Sequence, residues 1–134
     1  APGYLPAFRA QGLDCIFLLA PTSPAERIAK VAREASGYLY YVSLKGATGA
    51  ATLDVASVEA KIREIRQHTQ LPLAVGFGIR DAVSAKAVGQ VADGVVVGSA
   101  LVSEIEKHQN DAGKLPGILQ ERLAAMRQAL DEIK

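Results

Sequence analysis

The sequence predicts an α/β fold in which four parallel strands are each followed by a helix. Short, apolar or β-prone runs occur four times, at residues 13–20, 38–43, 73–77 and 94–97. Such runs are typical of strands that are buried on both faces of a sheet. A segment with apolar residues at helical spacing follows each run, as amphipathic helices require. Four repeats of strand and helix indicate right-handed βαβ units in a single parallel sheet.

The helix boundaries are predicted from capping signals. Ser23, with Pro24 next to it and Glu26 three residues on, predicts a capping box, and Gly37 is expected to stop that helix. Asp81 is a predicted N-cap for a helix that ends near residue 88. The other helices are predicted at residues 57–68 and 99–108.

Both ends of the chain are also expected to be helical. Residues 4–12 resemble the end of a helix that stops at a glycine, and residues 109–116 read as a linker. The final helix is predicted to carry an apolar side made of Leu119, Leu123, Met126, Leu130 and Ile133.

Composition excludes several classes of protein. A net charge of +1 in 134 residues sets up no field that would attract nucleic acid or an anionic membrane. The longest apolar run, residues 15–21, is too short to cross a bilayer. A single cysteine, Cys15, excludes an internal disulfide and is expected to be buried in its strand. We therefore expect one cytoplasmic domain over residues 1–134.

Strand and helix spacing alone does not distinguish a doubly wound sheet from part of a (β/α)₈ barrel. A complete barrel needs roughly 250 residues, so a chain of 134 residues would form about half of one. Half a barrel has two unpaired sheet edges. We therefore predict that half-barrels self-associate, and a stable monomer in dilute solution, seen by light scattering, would contradict this.

Glycines follow the predicted strands at the edge where parallel folds bind ligands. Gly78 comes after the third strand, and Gly98 and Ser99 open the helix after the fourth. Glycine permits close approach to the backbone, and a helix N-terminus favours an anion. In (β/α)₈ barrels, the loops after the last two strands usually bind phosphate. We predict a phosphate site here; the alternative is that these glycines only form tight turns.

Four motifs at these strand ends resemble those of tryptophan synthase α subunits. In the family's order and at fitting intervals, they are GYLYYVS (37–43), GATGA (46–50), VGFGI (75–79) and ADGVVVGSA (92–100). Residues 13–21 are similar to the strand that begins the second half of that barrel. The resemblance, which covers nearly the whole chain, implies half of a TIM (β/α)₈ barrel.

The resemblance implies a function in tryptophan biosynthesis. The family is a lyase that cleaves indole-3-glycerol phosphate to indole and glyceraldehyde 3-phosphate, a retro-aldol reaction, and indole passes to a separate β subunit. The implied phosphate-binding residues are Gly49, Phe77, Gly78, Gly98 and Ser99. The implied pocket residues are Tyr40 and Val96. The implied lid over the site contains Lys45, Gly46 and Thr48, with Thr48 placed to touch a catalytic carboxylate.

The family's catalytic Glu and Asp belong to early strands of the barrel, which the matched motifs do not include. We therefore expect no catalytic residue in this chain and little or no activity of the chain alone. Asp54 is the only acid expected near the site, and Asp93 precedes its strand at the opposite end. The acids of the helices, Glu104 among them, are expected on solvated faces.

Two other functions stay open. The chain could be a non-catalytic phosphate-binding or folding fragment, or a Schiff-base aldolase that uses Lys45, which would need a depressed pKa. No His, Cys or acid pair has the spacing of metal ligands, so no metal is expected. No cofactor is expected either, because in this family pyridoxal phosphate belongs to the partner β subunit.

Overall fold

A computed structural model of the chain describes residues 3–43, 54–76 and 78–133. The predicted alternation of strand and helix is confirmed there, with one parallel sheet of strand order β1-β2-β3-β4. In chain order the elements are α1 (Leu5–Ala10), β1 (Phe17–Leu19), α2 (Ala25–Glu34), β2 (Leu39–Val42), α3 (Val55–Arg66), β3 (Leu73–Gly76), α4 (Ala82–Gly89), β4 (Gly94–Val96), α5 (Ser99–Lys107), a 3₁₀ turn (Ala112–Lys114) and α6 (Leu115–Asp131).

One face of the sheet packs under the helices and forms the core. Residues that are paired in parallel strands point to the same side, so the strand register assigns each side chain to a face. The rows that face the helices are Phe17, Leu39 and Leu73, then Leu19, Tyr41, Val75 and Val95. They pack with buried residues of α2, α3, α4 and α6 such as Ile28, Ile62, Val88 and Met126. Burial, reinforced by the negative charge of Glu64, raises the pKa of the Tyr41 hydroxyl.

The opposite face of the sheet is less covered. Its rows of paired residues are Leu18, Tyr40, Ala74 and Gly94, then Val42, Gly76 and Val96. Leu18 is 57% exposed and Val96 is 36% exposed, although both are apolar. We call these seven residues the inner face, because in a closed barrel the side away from the helices is the interior.

The predicted capping box at Ser23 is wrong. Helix α2 begins at Ala25 with Pro24 as its N-cap and without a side-chain cap hydrogen bond. The hydroxyl of Ser23 instead accepts a hydrogen bond from the Ala20 amide at 2.9 Å, and its carbonyl accepts one from Lys61 of α3 at 2.8 Å. Ser23 is buried, so it fixes the turn between β1 and α2 rather than the helix.

The beginning of the sheet also differs from the prediction. The first strand was expected over residues 13–20 but includes only Phe17–Leu19, so Cys15 precedes the strand and is partly exposed. Gly37 adopts a φ of +78° three residues after α2 ends at Glu34. It therefore shapes the entry into β2 and does not cap the helix.

The final helix, α6, packs against α4. It begins at Leu115, inside the predicted linker. Pro116 lies in its first turn, where a proline does not interrupt a helix. A Cβ added at Gly89 of α4 would lie 2.3 Å from Leu130 Cδ2, so the absence of a side chain at Gly89 permits this close approach. The predicted apolar side of α6 is only partly covered, because Leu123 is 45% exposed. Within the described segments, no helix combines the length and the apolar character that a membrane crossing needs.

Asp93 joins three elements at the amino end of the sheet. One of its carboxylate oxygens accepts hydrogen bonds from the Leu73 amide at 2.8 Å and from Arg66 at 3.0 Å. Its own amide donates to the Leu73 carbonyl at 2.9 Å. Asp93 therefore ties the start of β3 to the end of α3 and to the turn before β4.

We expect Asp93→Ala to lower the free energy of unfolding by about 1–3 kcal/mol, because the partly buried Leu73 amide loses its acceptor. Urea unfolding followed by circular dichroism measures the change. The matched control is Asp131→Ala, which removes a carboxylate from an exposed pair within α6 and is expected to have little effect. Equal losses in the two variants would contradict the role of Asp93.

Candidate functional site

The backbone segments that contain Gly78 and Gly98 leave the sheet next to each other. β3 and β4 pair with Gly76 opposite Val96, and each of the two glycines comes two residues later in its own segment. Neighbouring strands lie about 4.8 Å apart. Two glycine-containing turns therefore meet at the carboxyl edge of the sheet, where α/β proteins bind their ligands.

The backbone at both glycines is open to solvent. Gly78 is exposed and has a φ of +80°, a conformation that side chains other than glycine rarely adopt. Gly98 is also exposed, and a Cβ added there would meet no atom within 4 Å. A ligand can therefore approach the main chain at both positions.

Helix α5 presents its N-terminus to this edge. Gly98 is its N-cap, and the amides of Leu101 and Val102 donate to the Gly98 carbonyl at 2.9 and 3.1 Å. The first amides of a helix, here those of Ser99 and Ala100, have no acceptor within the helix. Together with the helix dipole, they favour an anion.

Tyr40 and Val96 both lie on the inner face. The Tyr40 ring extends over Gly76 of the neighbouring strand, where an added Cβ would lie 1.9 Å from Tyr40 Oη and 2.6 Å from Cζ. Gly76 thus provides the space for this ring. The sequence alone predicts Tyr40 and Val96 as site residues but not this role of Gly76, because only the register shows which residue a strand glycine lies beside.

Ser43 extends the contact between β2 and β3 beyond the paired residues. Both its hydroxyl and its amide donate to the Gly76 carbonyl, at 2.9 and 3.2 Å. Ser43 is buried. These two hydrogen bonds hold the chain against β3 as far as Ser43. The motif at residues 46–50 follows shortly afterwards in the sequence.

The turn after Gly78 is held by hydrogen bonds on both sides of Arg80. The predicted cap at Asp81 is confirmed, because its carboxylate accepts from the Ser84 amide at 2.8 Å and forms a capping box. The Ser84 amide, followed by the Ser84 hydroxyl, lowers the pKa of the Asp81 carboxyl. The Arg80 amide donates to the Ser84 hydroxyl at 3.0 Å, and the Arg80 carbonyl accepts from Arg122 at 2.9 Å.

The expectation that Glu104 lies on a solvated face is wrong. Glu104 is 7% exposed, and its carboxylate accepts from Arg122 of α6 at 2.6 Å. The side-chain nitrogens of His108 and Lys107 are farther from this carboxylate, at 3.7 and 3.9 Å. The helical pattern of α5 alone does not predict that Glu104 is buried, since its partner Arg122 lies 18 positions later, on α6.

Asp54 and Asp93 both have structural partners. Asp54 is the N-cap of α3 and accepts from the Ser57 amide at 3.1 Å. Asp93 lies at the amino end of the sheet, as described above. Within the three described segments there is no group of three or more His, Cys, Asp or Glu side chains that would hold a metal ion. The implied site residues Lys45, Gly46, Thr48, Gly49 and Phe77 lie outside the described residues.

Comparisons with known proteins identify the family. The family model for the tryptophan synthase alpha chain matches residues 1–131. The chain belongs to the tryptophan synthase alpha chain family. It is 56% identical to the tryptophan synthase alpha chain of Laribacter hongkongensis over 128 residues, which are 96% of this chain and 47% of that protein. It is 58% identical to that of Thioalkalivibrio sulfidiphilus over 123 residues, 92% of this chain and 46% of the relative.

Solved structures of tryptophan synthase alpha subunits agree with the fold. The subunit from Legionella pneumophila strain Paris is 37% identical, with a TM-score of 0.83 over 98% of this chain and 47% of that chain. The chain thus spans about half the length of the tryptophan synthase relatives that it matches. The predicted half of a TIM barrel, four parallel strands each followed by a helix, is confirmed.

Gly76→Ala is expected to lower the free energy of unfolding by about 1–3 kcal/mol, because the new methyl group overlaps the Tyr40 ring. Nuclear magnetic resonance should also show displaced Tyr40 ring signals. Gly94→Ala is the matched control: it is on the same inner face, and its added Cβ would be 3.9 Å from Ala74 Cβ, an ordinary contact. A similar loss of stability in both variants, with Tyr40 unmoved, would show that crowding of this ring is not the cause.

Proposed function

We propose that this chain forms the phosphate-binding half of a tryptophan synthase alpha subunit, a lyase that cleaves indole-3-glycerol phosphate to indole and glyceraldehyde 3-phosphate. The observation that carries the proposal is the pair of adjacent, solvent-exposed glycine turns at Gly78 and Gly98, with the N-terminus of α5 beside them. The reaction is inferred from the family, because nearly the whole of this chain matches about half the length of a relative.

The proposed phosphate ligands are main-chain amides. Ser99 would contribute its own amide at the first turn of α5, and Gly78 would contribute one from the neighbouring turn. Amides that are fixed before the ligand arrives bind an oxyanion without reorganising. Gly49 and Phe77, by resemblance to the family, would complete the phosphate site.

The indole part of the substrate would lie on the inner face. Tyr40 and Val96 are proposed to line this pocket, since both project from the same side of the sheet as Gly76. The Tyr40 hydroxyl can donate to or accept from a polar group of the substrate. Residues Lys45, Gly46 and Thr48 are proposed to form a lid that excludes water from the site during the reaction.

We propose that no residue of this chain supplies the acid–base chemistry of cleavage. Glu104, Asp54, Asp81 and Asp93 each have the partners described above, and all four are engaged in holding the fold. A positioned acid or base contributes roughly 10²–10⁴-fold to a rate. The family's catalytic Glu and Asp would therefore have to come from the other half of the barrel.

Two kinds of partner follow from the proposal. In a complete subunit the β subunit would receive indole, and its pyridoxal phosphate would perform the next reaction. For the 134-residue chain we propose self-association through the inner face and the two edge strands, β1 and β4. The exposed Leu18 and Val96 support this, since apolar side chains gain free energy when a second copy covers them.

Phosphate binding tests the site directly. Titration of the chain with inorganic phosphate, followed by amide resonances, should shift those of Gly78, Gly98 and Ser99. Gly98→Ala should weaken binding on the order of tenfold, because its methyl group would occupy the open space beside the anion. Gly113→Ala is the matched control, since an added Cβ there also meets nothing within 4 Å but lies in the 3₁₀ turn. Equal phosphate affinity in both variants and the wild type would show that the phosphate site does not include Gly98.

Indole release tests the division of labour between the two halves. The chain alone is expected to release no indole from indole-3-glycerol phosphate, and mixing it with the N-terminal half of a 56%-identical relative should restore release. A mixture with the relative's N-terminal half in which the catalytic Glu is replaced by Gln serves as the control. Indole release by the chain alone would contradict the proposal that the catalytic carboxylates lie elsewhere.

A further inference from the structure

The guanidinium group of Arg122 connects two elements that are distant in sequence. One of its terminal nitrogens donates to the Arg80 carbonyl at 2.9 Å, and the other donates to the Glu104 carboxylate at 2.6 Å. Arg80 belongs to the turn after β3, whereas Glu104 belongs to α5. A single planar side chain of α6 therefore holds both elements at once; we call this set of contacts the Arg122 bridge.

The buried Glu104 carboxylate orients the guanidinium group of Arg122. A carboxylate with 9% of its side chain exposed has lost most of its water, so its pairing with Arg122 replaces hydration that the fold has removed. The guanidinium is a rigid fork that can address two acceptors in fixed directions. Once Glu104 orients this fork, the second nitrogen points at the Arg80 carbonyl.

Both ends of the bridge lie close in sequence to the proposed phosphate ligands. Arg80 is two residues after Gly78, and Glu104 is five residues after Ser99 on the same short helix. On the strand side, the pairing of Gly76 with Val96 already fixes the two segments. The bridge restrains them again beyond the glycines, where no strand pairing is present among the described residues.

We infer that Arg122 is a positioning residue for phosphate binding: held by the buried Glu104, it sets the distance between the Gly78 turn and the N-terminus of α5. This inference rests on the proposed function, because it concerns the same phosphate site. Arg122 itself is not placed among the ligands. Its contribution is to keep two sets of amides at the separation that one phosphate group spans.

Arg122→Lys tests the bridge because it keeps the charge but removes the fork. The matched control is Arg127→Lys, the same change on the same helix, where the arginine pairs with the exposed Asp131. Glu104→Gln keeps the shape and one acceptor oxygen, so it should give an intermediate effect. Two measurements are made at a temperature well below the melting point of every variant: the Kd for inorganic phosphate, and the hydrogen exchange rates of amides at residues 78–81 and 98–101 without phosphate.

We expect Arg122→Lys to raise the phosphate Kd on the order of tenfold and to speed exchange in both segments, while Arg127→Lys changes neither. A lower melting temperature with unchanged Kd would mean that Arg122 only stabilises the fold, which overturns the inference. Unchanged exchange in both segments would overturn it as well. If the wild-type chain binds no phosphate, the proposed function fails; faster exchange in Arg122→Lys would then still support the bridge as a clamp between the two turns.

Discussion

Parallel pairing of β3 with β4 is the constraint on which the rest of this structure depends. Main-chain hydrogen bonds fix Gly76 opposite Val96, and the two segments that follow must then leave the sheet at the same edge. The same register separates the helix-facing rows from the inner face. Because side chains alternate along a strand, a slip by one residue would exchange the two faces. A slip between β3 and β4 would turn Val96 toward the helices and Val95 toward the inner face, so the core and the candidate site both depend on this alignment.

Two carboxylates hold the two ends of this sheet. Asp93, at the amino end, accepts from the main chain of β3 and from α3. Glu104, near the carboxyl end, acts through Arg122 on the turn that follows β3. The turns at Gly78 and Gly98 can therefore stay open to solvent while the backbone on either side of them is fixed. An open but fixed backbone is what anion binding by main-chain amides requires.

Prediction from the sequence succeeded where one local pattern decides the outcome. Asp81 was correctly identified as a cap because capping involves residues within one turn. Ser23 carried an equally good local signal, yet its hydroxyl bonds the Ala20 amide and its carbonyl bonds Lys61. The hydroxyl therefore serves the turn that precedes Ser23 and is not available to cap the helix that follows. Glu104 was misplaced because its partner, Arg122, lies 18 positions away on α6, beyond the reach of the helical pattern of α5.

The sequence by itself determined the four strands, their helices, the family and the glycines at the carboxyl edge, because each depends on short patterns with fixed spacing. Only the tertiary structure decided that Gly76 makes room for Tyr40, and that Arg122 joins Glu104 to the turn after Gly78. Those contacts link residues 18 to 42 positions apart. Periodicity describes how a side chain points from its own element. Which partner it meets is set by how the elements pack.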